Sequence, residues 1–119
     1  MEKLSEYVQF DYDKRIIRII NGTKGEYPFD NIKECFVLNE DAKYKGKTEP
    51  FSVIVKTGPL PLGLLTEKAF YVGVKIINKN GSVLAIYTSK QKTRNNTDYH
   101  KKDRKNAEEI KKLIDEIIT

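Results

Sequence analysis

Cys35 and His100 are the only cysteine and the only histidine in the chain, and any nucleophilic chemistry would fall to them. A thiol becomes a nucleophile when a base keeps it as thiolate, so His100 would have to reach Cys35 in space. Cys35 stands in an apolar run beside Phe36, where a lone cysteine behaves as a small buried hydrophobe. Asp11 and Asp13 are two carboxylates in near succession, but Asp13 falls in a turn, where Asp is favoured for its backbone hydrogen bonding. Asp103, Glu108 and Glu109 read as residues of a helix start that complement the helix dipole. One cysteine excludes an internal disulfide and a multi-cysteine metal site. No phosphate-binding loop, dinucleotide fingerprint, G-x-S-x-G or H-E-x-x-H is present. The expectation is a protein that is not an enzyme and holds neither metal nor cofactor.

The remaining chemistry is electrostatic. The chain carries 22 basic and 17 acidic residues, a formal charge of +5. The excess is local. Lys90, Lys92, Arg94, Lys101, Lys102, Arg104 and Lys105 face only Asp98 and Asp103 between positions 90 and 105, while the tail beyond leans acidic. Such a run reads either as a solvated connector or as a site for anions, with lysine and arginine attracting the phosphates of lipid headgroups or nucleic acid. Tyr99 or His100 would add stacking. Near the first hairpin, Lys14, Arg15 and Arg18 also invite a phosphate reading. Strand alternation sends Arg15 and Arg18 to opposite faces, which does not build one phosphate pocket.

A second candidate surface is apolar. Residues 58–65 hold two prolines and two glycines among Leu60, Leu62, Leu64 and Leu65. Exposed, these leucines would bind a protein or peptide partner, pair two copies of the chain, or bring a strand to an open sheet edge. Folded back, they would form a lid on the core.

The elements that position these residues follow from periodicity. At 119 residues, with 39% hydrophobic and 33% charged side chains, the chain has room for one domain with one core, spanning 1–119. Its mean hydropathy is −0.58, and no run approaches the ~20 apolar residues that a membrane span needs. Together with the lack of a basic-then-apolar leader, this gives the expectation of a cytoplasmic protein. Alternation and β-branched density predict strands near residues 7–12, 15–20, 26–29, 34–38, 51–55, 70–77 and 83–88. Asn80-Gly81 between the last two is a strong hairpin signal; Phe70, Val72, Val74 and Ile76 would face one way, where Leu84 and Ile86 can meet them. Residues 39–50 are polar and read as a surface loop. Residues 90–105 read as a basic connector. Ala107, Ile110, Leu113, Ile114 and Ile117 recur at helical spacing, and Asp103 or Asn106 is the expected cap of a helix over about 104–118. The connections are too short for parallel crossovers, so the strands pair antiparallel. The expected fold is mainly β (α+β): about seven strands in a small barrel or bent sheets, closed by the C-terminal helix.

That order resembles the pleckstrin-homology-like fold. The stretch from Phe10-Asp11-Tyr12 to Arg18-Ile19-Ile20 is similar to the opening of a bacterial group of such domains. Tyr27-Pro28-Phe29-Asp30-Asn31-Ile32 with the strand that follows resembles its second block, and Lys105-Asn106-Ala107-Glu108-Glu109-Ile110 its closing helix. The group tends to carry a long glycine-rich apolar insert in mid-chain; here 57–65 is shorter and stiffened by proline. The resemblance implies a fold and carries over no activity. The lack of a catalytic constellation and the apolar mid-chain segment give the leading expectation, a binding or scaffold module for a protein or peptide partner or a second copy, with an anionic surface as the alternative.

Overall fold

The computed structural model describes residues 4–55, 69–94 and 97–118. β1 (Val8–Asp11), β2 (Ile16–Ile19) and β3 (Gly25–Pro28) form one antiparallel meander. β4 (Ile32–Asp41), β5 (Phe70–Asn78) and β6 (Val83–Tyr87) form a second, and α1 (Asp98–Ile118) ends the chain. The fold is α+β and mainly β, as expected. The expected β5–β6 hairpin is present, and its register sets Ile76 opposite Leu84 and Val74 opposite Ile86.

Three expectations are corrected. Among the described residues there are six strands, not about seven. The expected strand over 51–55 contributes a single bridge, Ile54 to Glu40. Its first residue, Phe51, takes φ +59° and gives its N–H to the Glu40 carboxylate at 2.8 Å, so the backbone cannot enter the ladder extended. The strands also close no barrel. β3 passes through a 3-10 turn, Phe29–Asn31, into β4 without pairing to it, so two sheets form. Finally, the helix starts six residues earlier than expected. Thr97 is the cap, its Oγ1 accepting the His100 N–H at 3.1 Å. Asp103 and Asn106 lie buried inside the helix, and the connector ends before Asp98.

One narrow seam joins the sheets. Residues 21–23, in the β2–β3 turn, run antiparallel to the edge of β6: Tyr87 N–H donates to Asn21 O, and Thr23 N–H to Ala85 O, both at 2.9 Å. Thr23 Oγ1 returns the contact by accepting the Ala85 N–H at 2.9 Å. Gly22 is obligatory here. It takes φ +137°, and a Cβ would stand 2.0 Å from Ala85 O.

The main core lies between the sheets and α1. Val72, Val74, Ile76 and Ile86 from one face of the second sheet meet Ile17 and Ile19 from β2 and Ala107, Ile110 and Ile114 from the helix. All are buried, and each isoleucine removed from water stabilises the fold by about 1.5–3 kcal/mol. On the opposite face of the second sheet, Phe51, Ala85 and Tyr87 form a smaller cluster edged by Leu38 and Tyr71.

Candidate functional site

The seven cations of the basic segment occupy two settings. Lys90 lies just after β6 and is engaged: its Nζ is 3.2 Å from Glu6 Oε2 and 5.9 Å from the centre of the Tyr7 ring. Lys92 and Arg94 are exposed on the approach to α1. Lys101, Lys102, Arg104 and Lys105 are helical, exposed on the first two turns of α1. Arg104 pairs with Glu108 at 3.1 Å. Lys101 and Lys105 stand four residues apart on one face of the helix, and among the described residues neither has a carboxylate within ion-pair distance. Of these helical cations, only Lys101 stands in the first turn, at the positive end of the helix dipole, where a positive charge costs about 0.3–1 kcal/mol at the surface. Tyr99, 64% exposed, stands in the same turn but on another side of the helix from Lys101 and Lys105.

Of the basic candidates near the first hairpin, the two arginines are paired. Arg15 pairs with Asp30 at 2.9 Å and holds its carboxyl below the usual range. Arg18 bonds Glu26 Oε2 through Nε at 2.9 Å. Asp11 accepts the backbone N–H of Lys14 at 3.0 Å, so this carboxylate serves the turn.

Cys35 and His100 do not meet. The Cys35 thiol donates to Asp115 Oδ1 at 3.5 Å, and the other Asp115 oxygen takes Lys111 Nζ at 2.6 Å. Asp115 lies 15 residues beyond His100 on α1, about 22 Å at ~1.5 Å per residue. Burial and the neighbouring Asp115 push the thiol up to about 12, away from the thiolate. His100 is buried edge-on to Phe70 at 5.0 Å, with no hydrogen-bond partner at Nε2. Beside it, Ser89 donates to Asp103 Oδ2 at 2.8 Å, and Thr88 to the Asp103 carbonyl at 2.7 Å. This network docks α1 on the sheet.

A different cluster escaped the sequence reading. Glu40, placed there in a surface loop, is fully buried near the end of β4. Its Oε2 accepts the Phe51 N–H and its Oε1 the Tyr87 hydroxyl, so both carboxyl oxygens are engaged. Burial, then the Glu40 bond, pushes the Tyr87 phenol up. Lys45, in the following loop, holds its ammonium 4.7 Å from the ring centres of both Tyr71 and Tyr87. Beside it opens a cleft of about 330 Å³ between Asn21, Thr23, Lys24, Thr48 and Pro50. The only local signal was Glu40 continuing the alternation of β4, outweighed by the polar residues after it.

Leu60, Leu62, Leu64 and Leu65 lie outside the described residues. Among those described, no group of three or more His, Cys, Asp or Glu is placed to hold a metal ion, and no helix is long and apolar enough to cross a membrane. Compared with family models, curated proteins and solved structures, the chain matches none.

Proposed function

We propose that this chain is a non-catalytic binding module that docks on an anionic surface through the first turns of α1. The observation that carries the reading is that Lys101, Lys102, Arg104 and Lys105 are all exposed on the first two turns of α1. Cations gathered on so short a stretch attract a polyanion, which releases counterions as it binds. Lys92 and Arg94, exposed ahead of the helix, add to the same charge, and the exposed Tyr99 offers a ring on which a base could stack. The non-catalytic part is supported by Cys35, which is tied to Asp115 and kept protonated, and by its separation from His100. The order of strands and closing helix keeps the pleckstrin-homology-like resemblance within this proposal, as does a cytoplasmic setting.

The test is binding to acidic vesicles and to a single-stranded oligonucleotide across a salt series, with wild type and a Lys101→Glu/Lys105→Glu variant. Affinity should fall steeply with salt, and the logarithmic slope for the oligonucleotide should shrink by about 0.7 for each lysine lost. Binding that is absent at low salt, or unchanged in the variant, overturns the reading.

A second reading, a protein or peptide partner or a second copy, has its own observation. Among the described residues no strand covers the outer edge of β4 from Lys33 to Leu38, and Phe36 beside that edge is 40% exposed. An uncovered edge can accept an added strand. Phe36→Lys should abolish self-association seen by light scattering at high concentration. A strictly monomeric wild type that captures no peptide removes this second reading.

A further inference from the structure

The Tyr71–Tyr87 corner is built around a cation. The two rings stand 6.3 Å apart at 72°, nearly perpendicular walls, and one ammonium touches both at the same 4.7 Å. Phe51 stacks on Tyr87 at 5.3 Å and fixes that wall in place. Tyr87 in turn donates a hydrogen bond from its hydroxyl to Glu40, which has no exposed surface. That bond draws electron density toward the phenol ring and strengthens its hold on a positive charge. The cation on the ring that Glu40 bonds is Lys45. With Lys45 withdrawn, the corner would be an aromatic-walled recess, two ring faces set for a positive charge, opening on the neighbouring cleft.

We propose that this corner is a receptor for a quaternary ammonium group, with Lys45 as the chain's own occupant. A lysine ammonium gives up hydrogen bonds to water when it lies on ring faces. A quaternary ammonium has no N–H to desolvate and presents charged methyl surface to both rings. The ligand class follows from the walls: a small organic cation whose charge is capped by methyl groups. Lys45 competes as an intramolecular ligand, at an effective concentration set by its short tether. Occupancy by an external cation therefore displaces Lys45 and frees the loop that bears it.

Tetramethylammonium chloride tests the proposal, titrated at constant ionic strength and read from the ring signals of Tyr71 and Tyr87 by NMR. Lys45→Ala should bind at least about tenfold more tightly than wild type, because the tethered competitor is gone. Neopentyl alcohol, a neutral molecule of similar shape, should not bind, and Lys45→Ala with Tyr71→Leu should lose the response. The proposal is overturned if Lys45→Ala binds no better than wild type, if the neutral molecule binds equally well, or if the response survives loss of Tyr71. Should Lys45→Ala fail to fold, wild type against Tyr71→Leu decides. A saturable response present only in wild type supports the receptor; no response, or the same response in both, overturns it.

Discussion

His100 is a titratable group held in the wrong medium for its charge. Burial, reinforced by the Arg104 guanidinium one turn on, lowers its pKa below the ordinary 6.5, while Asp103 on the same helix already accepts the Ser89 hydroxyl. The unfolded chain therefore takes the proton first as pH falls. The stability that His100 allows is in place above about pH 6.5 and is lost as pH drops through that value toward the lowered one. Denaturation midpoints measured from pH 7.5 to about pH 5 should fall for wild type more steeply than for His100→Leu; parallel curves would contradict this account. Cys35 makes an independent case. With its thiol pushed up to about 12 and its side chain buried, reaction with an aromatic disulfide reagent at neutral pH should be slow, and unfolding in urea should accelerate it by orders of magnitude. A fast native reaction would mean that the Asp115 contact does not hold the thiol.

At the scale of elements, α1 carries both packing and charge, and the two conflict at its N-terminal end. Lys101→Glu should raise the unfolding free energy by about 0.3–1 kcal/mol by favouring the helix dipole, while weakening salt-sensitive binding to anions. Stability and binding moving together would separate this residue from the proposed surface. The helix and the β5–β6 hairpin were legible beforehand because their information is local: an Ile/Leu stripe at helical spacing, and Asn80-Gly81 between apolar runs. The start of α1 was not. Asp103 and Asn106 have the chemistry of caps, but tertiary contact turned them inward, toward Ser89 in the case of Asp103, and left the cap to Thr97. The expected strand at 51–55 failed for a similar reason, since Glu40, eleven residues earlier, takes the Phe51 N–H. A buried carboxylate that organises two aromatic rings and a loop leaves almost no local trace. The Lys45 corner was therefore invisible until β4 was seen to extend to Asp41.

For the whole molecule, the seam at residues 21–23 is the narrowest bond between its parts. Gly22→Ala should cost about 3 kcal/mol or more, the upper end for single substitutions, because the new methyl meets a backbone carbonyl at a positive φ. Thermal unfolding of that variant checks it; an unchanged midpoint would mean that the seam can open without loss. The two meanders each pair neighbouring strands, whereas the seam joins residues 62 and 66 positions apart in sequence. Closing so long a loop spends chain entropy before the contact returns anything. The seam therefore belongs late in the order of assembly and early in the order of opening. In native-state hydrogen exchange, the amides of Thr23 and Tyr87 should exchange ahead of those at the centre of β5, although Tyr87 and β5 are neighbours in the same sheet. The first opening expected of this protein is at that edge, with the core shared by Ile17, Ile19, Val74 and Ile86 still closed.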